Sequence, residues 1–439
     1  MADITAIKVG RIIDGDSDAV VDNGTILVED GRITAIGPTD AVAVPPQAEV
    51  IDEPGLTAMP GMMDLHIHMC MFNNLTFKNY RVAQWEVTPQ LQQMYMLFHA
   101  QLCFERGFTT LRDLGLISSR GLMTDSAAAV REAIDAGLFK GPRISCGAFT
   151  VGTGTHLDLI NPRASMRDPE STADGPHELR KLARKNLLKG ADWLKTCASG
   201  GGGTDKEEPD IRNHTPEELD AVCDEAHSQH KHVSIHCFTP EAQRVSLAAG
   251  ADTIEHMVFH DQDSIERLVA AQIPVTPTLS HRTDHAIAIR RETGTPSFTL
   301  DKMKRIQPYC YETFQVMHKA GVNIAMGTDM GFEPDMGSNA GELAIYVELG
   351  MTPMEAIRTA TRNAARALHL DHDLGTLAQG KLADVVLVDG DPSRDINCLT
   401  ERENIKVVFK EGYRYVDRRA GQNRQVLPRE YGDWKIIDA

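Results

Sequence analysis

The feature that most constrains this fold is the alternation of short apolar runs with helical segments through the middle of the chain. In the segment PEELDAVCDEAHSQH, for example, Leu219, Val222 and Ala226 recur at helical spacing. The eight candidate strands are MMDLHIH (62–68), TTLRDL (109–114), RISCGA (143–148), WLKTCAS (193–199), VSIHC (233–237), TIEHM (253–257), PVTPTL (274–279) and IAMGTD (324–329). Strands that alternate with helices eight times predict an α/β protein with a (β/α)8 barrel, or TIM barrel.

Both ends of the chain have a different sequence pattern, with short strand-like runs separated by turn signals. IKVGRIID and GTILVEDGRITAIG lie near the start, and LADVVLVDGDP and NIKVVFKEGYRYV lie near the end. We predict one small β-sandwich domain built from residues 1–58 plus 375–439, beside a barrel domain of residues 59–374. The alternative is two unrelated small modules.

Polar residues with metal-binding side chains occur at or near the ends of these candidate strands. They are His66, His68, Lys195, His236, His256 and Asp329. Residues two apart on a strand point to the same face, so His66 and His68 can reach the barrel mouth together. Barrel enzymes carry their catalytic groups at the carboxyl ends of the strands. A single histidine there is more often structural, but the whole set predicts a site for zinc or a similar divalent metal.

Several segments together resemble the amidohydrolase superfamily. They are PGMMDLHIH, ADWLKTCASGGGG, HVSIHCF, GADTIEHM, MGTDMG and GTLAQGKLADVVLVDGDP. The resemblance covers essentially the whole chain, including the split β-domain. The branch it is similar to contains imidazolonepropionase-like hydrolases and Xaa-Pro dipeptidase-like enzymes, and its neighbours include ochratoxinase and the phenylurea and molinate hydrolases.

The resemblance implies a binuclear metal centre, with zinc expected and manganese or cobalt also compatible with the ligands. It implies that Lys195 is carbamylated by carbon dioxide and bridges the two ions, because an ammonium group cannot bind a cation. The other reading of Lys195 is a structural lysine in a salt bridge. The resemblance assigns the remaining ligands to two groups: His66, His68 and Asp329 at the more buried ion, and His236 and His256 at the more exposed one.

A mechanism follows for such a centre. Two metal ions that share a water supply hydroxide at neutral pH, and Asp329 would act as general base and then as general acid toward the leaving nitrogen. His156, in VGTGTH, is a candidate oxyanion donor or a contact for a substrate carboxylate. The alternative is that His156 is a capping or surface residue.

Two clues bear on the substrate. Dipeptidase-like relatives commonly carry a tyrosine where this chain has Phe238, and the loop of residues 69–89 is rich in methionine and aromatic residues, including Phe72 and Trp85. We expect Phe238, Phe72 and Trp85 to line an apolar substrate pocket, although the loop could instead pack on the barrel rim or a neighbouring subunit. These clues favour an aromatic amide, urea or carbamate, while an N-acyl amino acid or an Xaa-Pro or Xaa-Arg dipeptide stays open.

Two further functions are alternatives to this one. A mononuclear deaminase or cyclic amide hydrolase belongs to branches that generally lack a bridging lysine, so Lys195 argues against it. A non-catalytic oligomeric scaffold of the same fold would be expected to have lost metal ligands, whereas all six positions are filled here.

Net charge, apolar run length and cysteine spacing limit the partners and the cellular compartment that we expect for this chain. The net charge of -17 argues against binding to nucleic acid or to anionic lipid, and no apolar run is long enough to span a membrane. The eight cysteines form no CxxC pair and the chain starts without a basic-then-apolar leader. We therefore expect a cytoplasmic enzyme that acts on a small molecule, and the resemblance implies a homo-oligomer.

Overall fold

The computed structural model describes residues 4–70, 79–118, 121–123, 126–160, 171–331 and 336–427. These parts of the chain contain a parallel sheet in the middle and a second, mixed sheet from both ends. In chain order the strands are β1 (Ile4–Ile13), β2 (Val20–Glu29), β3 (Arg32–Pro38), β4 (Glu49–Pro60), β5 (Met62–Ile67), β6 (Phe108–Asp113), β7 (Leu116–Ser118), β8 (Gly121–Met123), β9 (Arg143–Phe149), β10 (Trp193–Cys197), β11 (His232–Cys237), β12 (Thr253–His256), β13 (Val275–Thr276), β14 (Val385–Asp389), β15 (Ile405–Lys410) and β16 (Tyr413–Asp417).

The two chain ends form one sheet, in the order β16-β15-β14-β4-β1-β2-β3. Its junction is the antiparallel pair β4–β14, in which Ala58 lies opposite Leu387. Alternating apolar residues of β1, including Ile7 and Val9, pack with Leu387 in a single buried cluster. The predicted union of both ends is therefore present, and hydrogen bonds join all seven strands of the predicted sandwich as one continuous sheet.

The middle of the chain forms a nearly closed parallel barrel. Its seven strands run in the order β13-β12-β11-β10-β9-β6-β5, and every adjacent pair among them is parallel. These strands are buried on both faces, as expected for a sheet whose outer side is covered by helices.

The eighth predicted strand, residues 324–329, is an extended segment rather than a regular strand. It makes single parallel bridges from Ile324 to Val275 and from Met330 to Ile67. Between them, Leu65 N–H donates to the carbonyl of Met326 at 3.0 Å. The segment thus closes the barrel between β13 and β5. The seventh strand is also shorter than predicted, since it spans only Val275–Thr276.

Helices connect the barrel strands along the described chain. Helix α6 shows why: Thr215 and Glu218 form a capping box, proline follows the cap, and Leu219, Val222 and Ala226 are buried on one face. The helices are α1 (Tyr80–Glu86), α2 (Pro89–Glu105), α3 (Ser126–Asp135), α4 (His156–Leu159), α5 (Pro176–Leu188), α6 (Pro216–Ser228), α7 (Pro240–Ala249), α8 (Gln262–Ala271), α9 (Asp284–Glu292), α10 (Ser297–Ala320), α11 (Gly341–Glu348), α12 (Pro353–Thr359) and α13 (Arg362–Ala367), with 3-10 turns at Ser280–Arg282, Ile396–Leu399 and Arg402–Asn404. None of the helices in the described parts has both the length and the apolar character to cross a bilayer.

Candidate active site

The structure gathers seven of the predicted site residues, together with Phe238, around one cavity at the carboxyl ends of the barrel strands. This cavity has a volume of about 600 Å³. The predicted residues that line it are His66, His68, His156, Lys195, His236, Phe238, His256 and Asp329. Because they come from six different strands or strand-following segments, the barrel itself sets their relative positions.

The inner group is centred on Asp329. Asp329 Oδ1 lies 3.3 Å from His68 Nε2 and 3.5 Å from His66 Nε2. Candidate ligand atoms of His66, His256 and Asp329 all lie within 4.8 Å of one another. His236 lies next to this group, with its ring centroid 4.6 Å from that of His256. This spacing suits side chains that converge on a shared divalent ion.

Unusual backbone conformations direct some of these side chains. His256 and Asp329 have φ values of 76° and 57°, in the left-handed region that non-glycine residues rarely adopt. Thr278, the hydrogen-bond partner of His256, has φ 55°. Such residues each cost about 1–3 kcal/mol and cluster at functional sites. The left-handed turn at His256 is why both it and its neighbour Glu255 face the barrel interior.

Each of the four histidines has one ring nitrogen occupied by a hydrogen-bond partner, which leaves the other available for a ligand. Nδ1 of His66 lies 2.7 Å from Glu255 Oε2, and Nδ1 of His68 lies 2.8 Å from the carbonyl of Gly115. The remaining two partners are Thr278 Oγ1, 2.7 Å from Nδ1 of His256, and the Gly200 carbonyl, 3.2 Å from Nε2 of His236.

Burial favours the neutral form of His66, His236 and His256 by lowering the pKa of each ring, and the neutral imidazole is the form that binds metals. Burial lowers the pKa of His66 to about 4. The pKa values of His236 and His256 are also lowered, again first by burial and then by the proximity of other histidines, because one protonated ring disfavours protonation of the next. The histidine set therefore matches the donor chemistry of a divalent metal site.

Lys195 is the most unusual residue of the cavity wall. Its side chain is 1% exposed, and its Nζ is one of the buried polar atoms in the described chain without a hydrogen-bond partner. Burial lowers the pKa of this amine to about 8. A buried amine without a partner is costly, and no salt bridge to Lys195 occurs among the described residues, contrary to the structural alternative raised from the sequence.

Glu255 is a site residue that the sequence analysis missed. It is fully buried, and its pKa is held well below the ordinary value: burial raises it, but the charge of Arg112 and the hydrogen bond with His66 outweigh that effect. Its carboxylate accepts hydrogen bonds from five buried side chains: His66, Arg112, Ser234, Thr253 and Thr276. Glu255 thereby fixes the orientation of one candidate metal ligand.

Replacing Glu255 with glutamine should destabilise the barrel and weaken metal binding. The amide would bring an N–H2 group toward partners that are themselves donors, so we expect a loss of about 3–5 kcal/mol in unfolding free energy and about 10- to 100-fold in metal affinity. Urea unfolding and competition with a chelating dye measure the two effects. Glu178→Gln, which removes an exposed pair with Lys181, is the control, and equal behaviour of both variants would contradict this role.

His156 is held in the cavity by a second residue missed from the sequence, Glu207. Glu207 Oε2 lies 2.7 Å from His156 Nδ1, and the His156 ring stacks on that of His236 at 4.3 Å. The glycine run holds Glu207 in place, since the backbone N–H groups of Gly201 and Gly203 donate to its carboxylate at 2.8 Å. A side chain at Gly201 would collide with the His156 ring. His156 is therefore a positioned residue of the cavity rather than a surface histidine.

Arginine side chains also line this cavity. Arg282, which is 6% exposed, lines it with Arg290, and the guanidinium carbon of Arg282 lies 5.4 Å from the Phe238 ring centroid. His281 also lines the cavity, with Nε2 3.7 Å from Asp329 Oδ2. These three residues lie on the segment after β13, where no strand periodicity marked them in the sequence.

The two aromatic residues predicted on loop 69–89 have different outcomes. Phe72 lies outside the described residues. Trp85 lies in α1, is 48% exposed and is not among the residues that line the cavity. The structure thus gives no support for Trp85 as a substrate contact, because its side chain faces outward.

Comparison with known proteins identifies the family of this chain. A family model described as the amidohydrolase family matches residues 57–414. The chain belongs to this family. The amidohydrolase is 27% identical to ochratoxinase from Aspergillus niger over 434 residues, covering 94% of this chain and 86% of that protein. It is 24% identical to imidazolonepropionase from Symbiobacterium thermophilum, with 84% of each chain covered.

Solved structures show the same architecture. A Xaa-Pro dipeptidase with methionine bound in its active site superposes with a TM-score of 0.84 at 30% identity, covering 94% of this chain and 100% of the other. The predicted α/β barrel with a sheet from both chain ends is therefore confirmed. The protein is a hydrolase that acts on carbon–nitrogen bonds.

Proposed function

We propose that this amidohydrolase uses two divalent metal ions to hydrolyse the amide bond of a small molecule that carries a free carboxylate, such as an N-acyl amino acid or a dipeptide. The observation that carries the proposal is the shared cavity. Convergent histidines, Lys195 and Asp329 line it together with Arg282.

The donor set fits two ions. His66, His68 and Asp329 would hold the inner ion, and His236 and His256 the outer one. The hydrogen bonds of the four rings leave one nitrogen of each available to an ion. Zinc is the proposed metal, and manganese or cobalt would suit the same ligands.

Lys195 would complete the site as a carbamate. The lone pair of the neutral amine attacks the carbon of carbon dioxide, a nitrogen–carbon bond forms as one carbon–oxygen π bond breaks, and one N–H proton is lost to water. The product is an anion with two oxygens in place of a cation. This change would supply partners for the buried Nζ, which has none among the described residues, and would provide a bridging ligand between the two ions.

Metal ions at this site would supply a water of lowered pKa, near 7, and polarise the substrate carbonyl. Side chains of the protein would then transfer the protons. Asp329, with Oδ1 toward His66 and His68, would accept the proton of the attacking water and deliver it to the leaving nitrogen. His156, fixed by Glu207, would donate to the developing oxyanion or to the substrate.

Arg282 favours a substrate with a carboxylate. Arginine binds carboxylates through two parallel hydrogen bonds, and Arg282 lines the same cavity as Asp329. Phe238, Leu157 and Met303 supply an apolar wall beside it. A dipeptide meets both requirements, and one of the similar structures is a Xaa-Pro dipeptidase. The charge of Arg282 therefore outweighs the preference for neutral aromatic substrates that the sequence suggested.

A matched pair of substrates tests this assignment. An N-acyl amino acid and its C-terminal amide would be assayed with metal-loaded enzyme and with Arg282→Met, which keeps length but removes charge. We expect the variant to lose about 10- to 100-fold in kcat/KM for the acid, the size of a hydrogen bond to a charged group, and little for the amide. Arg291→Met, an exposed position of α9, is the control.

Other outcomes would direct the function elsewhere. Equal hydrolysis of acid and amide by the unmodified enzyme would reject carboxylate recognition. Neutral aryl amides, ureas and carbamates would then be the favoured substrates. Inactivity toward all of them, with metals bound, would favour the cyclic amide hydrolase or deaminase alternative. A protein that binds no metal at all would be the scaffold. The expected homo-oligomer and cytoplasmic location stay predictions.

A further inference from the structure

A second group of metal-binding side chains lies at the opposite end of the barrel from the cavity. His232 begins β11, Asp252 directly precedes β12, and His369 follows α13. Their ligand atoms lie within 4.8 Å of one another. His227, near the end of α6, adds a third imidazole, with Nε2 2.9 Å from Asp252 Oδ2.

This group is separate from the candidate active site. Strands β11 and β12 carry both, because His232 and His236 are four residues apart on one strand and Asp252 and His256 are four apart along the other. At about 3.3 Å per residue, four residues correspond to roughly 13 Å. The two groups are thus too far apart to share an ion.

The geometry of the group is close to that of a bound ion. Donor atoms around a tetrahedral zinc ion lie about 3.4 Å apart, so each ligand atom needs to move by only about 1 Å. Asp252 is already anchored, since its Oδ2 accepts from Val233 N at 2.7 Å. The rings of His232 and His369 stack face to face at 4.3 Å, so the exposed His369 ring must also turn before both imidazoles can direct a nitrogen to one ion. His232 lines an open pocket that gives access from solvent.

We propose that His232, Asp252 and His369 bind a divalent transition-metal ion, with His227 as a fourth ligand. Two or three imidazoles and one carboxylate suit Zn²⁺, Ni²⁺ or Cu²⁺ rather than Mg²⁺ or Ca²⁺. Such an ion would have a structural role. It would tie the segment by which the chain leaves the barrel, at His369, to the amino-terminal ends of two barrel strands.

The variant His369→Asn tests the site with little risk to folding. His369 is exposed and has φ 57°, a conformation that asparagine tolerates well, and an amide is a poor ligand for these ions. His372→Asn is the matched control, because His372 lies three residues away, is 69% exposed and does not belong to the cluster. Both variants would be prepared as full-length protein with the active site loaded.

In equilibrium dialysis, the unmodified protein and His372→Asn should each bind one equivalent of Zn²⁺ more than His369→Asn. Zinc should also raise Tm in the first two and less in the third. Cu²⁺ offers a local readout, since the Trp193 ring lies 4.9 Å from that of His232 and its fluorescence should be quenched only when the site is intact. Equal zinc content and equal quenching in all three proteins would overturn the proposal, whatever the hydrolase activity proves to be.

Discussion

Replacing Lys195 with alanine is expected to lower kcat/KM by about 10³-fold, comparable with the largest losses from removing one group that stabilises a transition state. The buried amine would no longer form the carbamate that joins the two ions, and a cavity would be left in its place. A small carboxylic acid can enter such a cavity and present two oxygens there. We therefore expect propionate or acetate to restore part of the activity and the metal content of Lys195→Ala.

Two controls make the Lys195 result specific. Lys181→Ala removes an exposed lysine that pairs with Glu178 and should leave activity unchanged. Lys195→Arg keeps a cation but cannot form the carbamate, so it should be as inactive as alanine and should not respond to acids. Labelled bicarbonate should give a carbamate carbon signal by NMR in the unmodified protein only. Full activity of Lys195→Arg would contradict the bridging role.

Replacing Asp329 with asparagine is expected to lower kcat for an unactivated amide by about 10²- to 10⁴-fold, the usual contribution of general acid–base catalysis. Asparagine keeps the shape of the side chain but cannot carry a proton from water to the leaving nitrogen. An amide nitrogen leaves poorly until it is protonated. A substrate with a good leaving group, such as a p-nitrophenyl ester, should therefore lose much less activity.

The contrast between the two substrates separates proton transfer from metal binding. Metal content would be measured for Asp329→Asn and for Asp220→Asn, an exposed control on α6. An equal fall for amide and ester, accompanied by loss of metal, would mean that Asp329 acts as a ligand alone. A larger fall for the amide with metal retained supports the proton shuttle.

Strand positions made most of the candidate site predictable. His66, Lys195 and His236 lie on regular strands whose ends could be found from apolar runs, and His68 directly follows β5. All four line the cavity. The parallel barrel brings such ends together regardless of their separation in sequence. The prediction of the barrel and of its polar rim therefore rested on local pattern and on a general rule of topology.

Residues whose position depends on irregular backbone could not be found in this way. Glu255 faces the barrel interior beside His256 because the left-handed backbone at His256 breaks the alternation of a strand. Arg282 lies on a 3-10 turn after β13, and Glu207 is brought to His156 by backbone N–H groups of the glycine run. Each depends on a turn whose geometry the apolar pattern does not encode.

The irregular pairing of the eighth predicted strand also could not be predicted from the apolar pattern. IAMGTD has the composition of a strand, but Gly327 passes so close to His66 that its position has no room for a Cβ, which would lie 2.7 Å from His66 Cβ. The segment closes the barrel with single bridges instead of a ladder. Tight packing around the metal-binding histidines therefore takes precedence over regular pairing, and sequence periodicity contains no information about such a contact.

The junction between β4 and β14 sets an order of events during synthesis. Pro60 pairs with Val385, so the ribosome must add more than 300 residues after β4 before its partner exists. At about 5–20 residues per second, β4 waits for roughly 15–65 s.

During that interval the edge of β4 has unpaired backbone groups, and exposed strand edges invite association with other chains. Newborn chains of this protein should therefore depend on chaperones more than their final stability suggests. A circular permutant that joins the two halves of the sheet in sequence would shorten the wait and should fold with less aggregation.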